Sequence, residues 1–116
     1  MVSKNCIFCK IVAKEIPAKI VFENDHVVAF EDVKPQAPVH VLIVPKDHIE
    51  KTSDLNETHG AIIGGLVLAA KGIAKARGAE GTGYRVVLNC GKDAGQEVLH
   101  IHLHLLGGRK FTWPPG

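Results

Sequence analysis

The sequence lacks a long unbroken apolar run. Its longest, residues 66–70 with their neighbours, is interrupted by Gly64, Gly65 and Lys71. That falls short of the roughly 20 residues a membrane-spanning helix needs. The opening stretch MVSKNCIFCK has no signal-peptide core, and neither end shows a lipidation motif. A cytoplasmic chain with no membrane partner is the expectation. Charge of one sign is scarce as well. Fourteen basic and twelve acidic residues leave +2, too little to call for a nucleic-acid partner. Internal repeats and low-complexity tracts are absent. Cysteine is limited to three residues, an odd number, and two of them form Cys6-x-x-Cys9. Without a secretion signal, that spacing points to metal or redox chemistry before a structural disulfide.

What is present is a globular composition, 46% hydrophobic and 22% charged over 116 residues. That is the size of one domain. Residues 1–116 are expected to form it, with 111–116 as an extended tail stiffened by Pro114 and Pro115. Ile7, Phe8, Ile11 and Val12 recur at helical spacing, which predicts a short helix over 6–14 that ends before Pro17. Residues 20–22 and 27–30 are rich in β-branched and aromatic side chains, with Asn24-Asp25 placed as a hairpin turn. Residues 39–44, between Pro38 and Pro45, form a third strand candidate. Ile62, Ile63, Leu66, Val67, Ala70, Ile73 and Ala74 make the stripe of one long helix. Ser53 or Asn56 would cap its start and Gly78 would close it. Gly60, Gly64, Gly65 and Gly72 suggest close packing of that helix on a sheet. Residues 84–89 and 99–106 read as two more strands. The fold class is α+β, an antiparallel sheet with helices on one face.

The histidines are concentrated. On a strand, His100, His102 and His104 share one face, while Ile101, Leu103 and Leu105 point to the core. A buried strand has no need of three imidazoles, since each costs free energy unless partnered. Two chemistries fit the row. It is a metal-binding strip, or one imidazole is a nucleophile whose other ring nitrogen is held by an acceptor. The preceding loop, residues 89–97, carries Gly91 and Gly95, and its backbone N–H groups suit an anion nest. Gly107-Gly108 permits close approach on the other side. Glycines flanking a histidine row favour a phosphate. Cys90, His26 and His59 read as ordinary small or surface residues.

Residues 96–106, Gln-Glu-Val-Leu-His-Ile-His-Leu-His-Leu-Leu, resemble the His-x-His-x-His-x-x signature of the histidine triad (HIT) family. Ile7-Phe8, the KEIPAK stretch at 14–19, Phe30-Glu31-Asp32, residues 35–40, Val44-Pro45-Lys46, Gly107-Gly108-Arg109 and the terminal Trp113-Pro114-Pro115-Gly116 are similar to that family too. The ending and KEIPAK look like the Hint branch, the histidine triad nucleotide-binding proteins. The resemblance implies a five-stranded antiparallel sheet with one long and one short helix. Two such sheets would join into a ten-stranded sheet in a homodimer, with the tail at its interface. It implies a purine nucleotide site and hydrolysis of nucleoside 5′-phosphoramidates through a nucleotidyl-histidine. By the same resemblance His102 is the nucleophile. His104 stands against the phosphate, and His100 and His40 complete the cluster. Ile7, Phe8, Ile11, Phe30 and Val33 would line the base and ribose pocket, and Asp32 would hold the ribose hydroxyls. Asn89, Gly95, Gln96, Glu97 and Val98 would approach the phosphate, and Trp113 would reach toward a partner subunit's site. Glu97 stands where the animal form has serine, which bears on the choice of leaving group.

The resemblance also supplies a ligand set for structural zinc: Cys6, Cys9, His48 and His100. Free thiols and a redox pair are the other readings of Cys6-x-x-Cys9. Other functions fit the same residues. They are hydrolysis of dinucleoside polyphosphates or nucleotidyl-sulfates, a nucleotide-binding scaffold with incidental catalysis, and a metalloenzyme using all three clustered histidines.

Overall fold

A computed structural model describes residues 5–116. Helix α1 (Ile7–Val12) is capped by Cys6, whose Sγ accepts the Cys9 N–H at 3.4 Å. It ends before the predicted Lys14 because that residue takes a left-handed backbone, φ 63°. Strands β1 (Ile20–Glu23) and β2 (Val27–Glu31) form a hairpin. Its turn is closed by Asn24 Oδ1, which accepts the N–H groups of His26 and Val27 at 2.8 and 2.9 Å, the usual job of asparagine in a turn. Strand β3 (Val39–Pro45) follows. Two 3₁₀ turns, Thr52–Asp54 and Glu57–His59, lead into α2 (Gly60–Ala76). Asn56 caps the second turn, taking the Thr58 N–H at 2.9 Å, and His59 Nδ1 accepts the Asn56 N–H at 3.0 Å. His59 is therefore part of a cap, not an idle surface group. Gly78, φ 74°, follows the end of α2, the conformation a helix stop needs. Strands β4 (Tyr84–Leu88) and β5 (Leu103–Gly107) complete the chain.

The five strands are antiparallel in the order β1-β2-β3-β5-β4. Strand β5 inserts beside β3, and β4 is left as a free edge. Strands β2 and β3 are buried at nearly every position. Val27, Ala29, Val41 and Ile43 pack with Leu66, Ala70 and Ala74 of α2. Val28, Phe30, Leu42 and Val44 pack with Phe8, Cys9 and Ile11 of α1. The helices thus cover opposite faces, which corrects the expectation of one covered face. The physical signal is that β2 and β3 are apolar at consecutive positions. A sheet wet on one side alternates.

Two expectations about α2 also change. A Cβ added at Gly60, Gly64 or Gly72 meets nothing within 4 Å, and at Gly65 only Val27 Cγ2 at 3.9 Å. These glycines do not serve helix-to-sheet contact. Gly60, Gly64 and Gly72 lie on the outer face with the exposed Val67 and Leu68. Nor do the glycines break the helix. The run Glu57–Ala76 is long and apolar enough to cross a membrane by length and composition alone. Its inner stripe, Leu66, Ala69, Ala70, Ile73 and Ala74, is spent on the sheet, which is how a core helix meets that criterion.

Candidate functional site

The chemistry-bearing residues gather on the α1 face. Ladder pairing of β5 begins only at Leu103, not at residue 99. Before it, the chain runs beside the end of β3 and the segment after it. Ile101 N–H donates to Ile49 O at 2.7 Å, and His100 Nε2 lies 2.8 Å from Pro45 O. Ile101, Leu103 and Leu105 are buried as the alternation requires.

Hydrogen bonds assign the ring protons. His102 Nδ1 lies 2.6 Å from His100 O. A carbonyl only accepts, so Nδ1 carries a hydrogen, and the neutral tautomer has its lone pair on Nε2. The Phe8 ring meets the His102 ring edge to face, centroids 5.1 Å apart, which restricts its rotation. The backbone N–H of Gln36 donates to His40 Nδ1 at 3.0 Å. Neutral His40 therefore carries its hydrogen on Nε2, which faces His104 Nδ1 at 2.9 Å and Asp32 Oδ2 at 3.4 Å. His104 Nδ1 accepts, so its own hydrogen stands on Nε2. Burial lowers the pKa of His40, against the pull of Asp32. Burial pushes the His104 imidazole down to about 4, aided by His102 and His40. Both rings are neutral at pH 7.

Two adjoining cavities open here. One, of about 490 Å³, is apolar, with walls that include Ile7, Phe8, Ile11, Phe30 and Val33, and with Asp32 at its margin. The next, of about 450 Å³, shares Phe8, Asp32 and Val33 and holds His40, His102 and His104. Asn89, Gly95, Glu97 and Val98 close its other side, with Lys34 and Gln36.

Behind His102 lies a second cluster. His100 Nδ1 is 3.3 Å from Cys6 Sγ and 3.5 Å from Cys9 Sγ, and His48 Nδ1 is 3.3 Å from both Cys9 Sγ and His100 Nδ1. A tetrahedral zinc holding two thiolates and two imidazoles sets nitrogen and sulfur about 3.5 Å apart and two nitrogens about 3.3 Å apart. The four side chains already stand at those spacings. The His100 contact with Pro45 O places its hydrogen on Nε2 and turns a bare Nδ1 to the cluster, as metal-bound histidines require. Burial drives His100 down to about 4, so it is a neutral donor. The cluster can hold a metal ion.

A sequence model of the HIT domain matches residues 13–111. The chain belongs to the HIT domain family. It is 51% identical over 112 residues to the 14 kDa zinc-binding protein of Zea mays, covering 95% of this chain and 87% of the maize protein. It is 49% identical over 112 residues to the adenylylsulfatase HINT1 of Arabidopsis thaliana, covering 95% and 76% respectively. Its fold superposes on the crystal structure of a HIT family hydrolase from Legionella pneumophila Philadelphia 1 with TM-score 0.95. The two share 52% identity, covering 97% of this chain and 100% of that one.

Most of the residues singled out in this HIT domain converge, but some do not. The Gln96 side chain does not line the cavity that holds His40, His102 and His104. Its Oε1 takes the Gly91 N–H at 2.9 Å, and its Nε2 donates to Glu50 O and Val98 O at 2.7 and 3.1 Å. It is a clasp for the loop. The N–H groups of Gly95 and Gln96 also turn inward, onto Lys92 O and Gly91 O. The expected anion nest is therefore spent within the loop at these positions. Trp113 lies away from its own chain's site and is 83% exposed. Val33 lines both cavities yet is 92% exposed. Cys90 is not a plain small residue. Its Sγ lies 3.3 Å from Ser53 Oγ, and hydrogen bonds from Ser53 and Thr52 lower its thiol to about 7. The sequence reading missed Gln36, because it acts through its main chain and no side-chain pattern reports that.

Proposed function

We propose that this HIT domain hydrolyses purine nucleoside 5′-phosphoramidates through a covalent nucleotidyl-histidine. The observation that carries the reading is the 2.6 Å contact of His102 Nδ1 with His100 O. In the neutral ring it sets the lone pair on Nε2, beside a cavity large enough for a phosphate. The apolar cavity suits a purine, with Asp32 positioned for ribose hydroxyls. His102 Nε2 attacks the α-phosphorus, and a nitrogen–phosphorus bond forms. The bond to the amine breaks with its electron pair, and the departing nitrogen takes a proton from solvent. His104 Nε2–H donates to the reacting phosphoryl group, where charge is greatest. Water then attacks phosphorus, the bond to Nε2 breaks, and the water's proton passes to solvent. His102 returns to its neutral form.

Cys6, Cys9, His48 and His100 would hold zinc. With all four positions filled its role is structural, tying α1 to the segment that carries His102. The same reading includes a cytoplasmic homodimer of single-domain chains, with residues 111–116 at the interface. The exposed stripe of Gly60, Gly64, Val67 and Leu68 on α2 and the sheet edge at β4 support it. A second reading, hydrolysis of nucleotidyl-sulfates by the same nucleophile, is favoured by the name of the Arabidopsis relative.

The test is hydrolysis of adenosine 5′-phosphoramidate by the wild type and by His102→Ala, each with and without chelator. We expect His102→Ala to lose at least about a thousandfold in turnover while still binding adenosine monophosphate. Turnover lost to chelator while the fold persists would sink the reading. Binding without turnover in the wild type would leave a nucleotide-binding protein.

A further inference from the structure

A third cavity, of about 260 Å³, opens on the far side of His40 and His104 from the apolar pocket. It shares Gln36, His40, Asn89 and His104 with the phosphate cavity and does not include His102. The three compartments therefore run in sequence: apolar, phosphate, and this one. Arg85 and Arg109 stand in its wall, and no carboxylate lines it. Asp32 and Glu97 line the phosphate cavity instead. Among the described residues neither guanidinium has an ion-pair partner. Arg85 gives one N–H to Thr112 O at 2.9 Å. Arg109 gives one to Gln36 O at 3.0 Å and one to Lys110 O at 3.1 Å. Each guanidinium has five N–H donors, so most remain for a ligand. Both lie over the Phe111 ring, at 5.2 and 4.2 Å from its centroid. Stacking holds a guanidinium through its flat face and leaves its in-plane donors open.

We propose that this basic compartment receives the leaving group and selects one that bears a carboxylate. The inference rests on the phosphoramidase reading and narrows its substrate class. Displacement at phosphorus runs in line, so a group leaving opposite His102 departs toward a compartment that His102 does not line. The volume lies below the roughly 300–1,000 Å³ of cavities that take drug-sized ligands. It suits an amine of amino-acid size. Two fixed, unopposed arginines bind an oxyanion through charge-assisted hydrogen bonds. A carboxylate-bearing amine satisfies the charge and the nitrogen–phosphorus chemistry together. Pairing of the free β4 edge with another chain uses backbone groups, and the Arg85 side chain stands off the sheet face.

The experiment compares the adenosine 5′-phosphoramidates of β-alanine and of β-alaninamide, matched in size and differing in charge. The wild type is expected to favour the carboxylate by about tenfold in kcat/KM at low ionic strength. Added salt should shrink that ratio. Arg85→Gln and Arg109→Gln are each expected to bring it toward one. A general loss of activity or stability would not move the ratio. Arg109→Gln also frees Gln36 O, so Arg85→Gln, which gives up only the Thr112 contact, is the cleaner variant. Equal turnover of the two substrates by the wild type overturns the inference and leaves the phosphoramidase reading intact. A ratio unchanged in both variants overturns it too. No turnover of either substrate ends both.

Discussion

Gln36 contributes a main-chain hydrogen to the histidine cluster, and that one donor orders the protons of two rings. With His40 Nδ1 engaged, His40 must point Nε2–H outward, and His104 must accept at Nδ1 and donate at Nε2. His104 then titrates far below its ordinary 6.5, at about 4, because burial disfavours the cation and His102 and His40 add positive charge nearby. The consequence for stability has a definite sign. Between pH 6.5 and 4 the unfolded chain takes up a proton at His104 that the folded chain refuses. Stability is therefore lost as pH falls through that window, and is fully present above it. The loss at this residue is roughly 3 kcal/mol at its limit. Urea unfolding at several pH values from 4 to 7 measures it. His104→Asn should flatten the slope.

Helix α1 has six residues, too short to be stable alone. It stays because Phe8, Cys9 and Ile11 are buried on the sheet and because Cys6 and Cys9 belong to the metal-ready cluster. With zinc in the cluster as proposed, its removal by a chelator, or replacement of Cys9 with Ser, is expected to cost at least about 2 kcal/mol. That is on the order of 10 °C in Tm, read by calorimetry. Turnover per folded molecule should hold, because a fully coordinated structural metal takes no part in the chemistry. Helix α2 is the opposite case. Leu66 is fully buried against the other face, and Leu66→Ala should cost about 3 kcal/mol. At a temperature where that variant stays folded, its turnover should be near normal, since α2 touches none of the site. Most elements could be read from hydrophobic period, including Val39–Pro45 and the α2 stripe. The start of β5 could not. Residues 99–102 have strand-like alternation, but their contacts here are one main-chain bond, Ile101 N–H to Ile49 O, and one side-chain bond, His100 Nε2 to Pro45 O. Nothing local distinguishes those bonds from a ladder.

At the scale of the whole molecule, α2 carries an apolar outer stripe and the sheet ends in β4, which is paired on one side only, with β5. Val67 is half exposed and Leu68 more so, and Val86 stands on β4 at the sheet's free edge. Small residues between them let another surface approach closely. A second copy joined edge to edge would continue the sheet and bury this stripe. Val67→Glu is expected to shift the sedimenting species from dimer to monomer at micromolar concentration. Val67 lies on the face away from the histidines, so adenosine monophosphate binding within the chain should persist.

The residue types, their period and the His-x-His-x-His spacing were enough to indicate an antiparallel α+β chain with a row of imidazoles on one face of a strand, because strand alternation is a local rule. The Cys6-x-x-Cys9 spacing likewise announced half of a metal site. Three things required the folded chain. Two-sided burial of β2 and β3 separated the helices onto opposite faces. Long-range contact brought the ligand atoms of Cys6, Cys9, His48 and His100 within 4.8 Å of one another. Main-chain groups distant in sequence, Gln36 N–H and Pro45 O, assigned ring protons that no side-chain pattern encodes. Each depends on groups meeting in space, and a linear pattern carries no distance between strands.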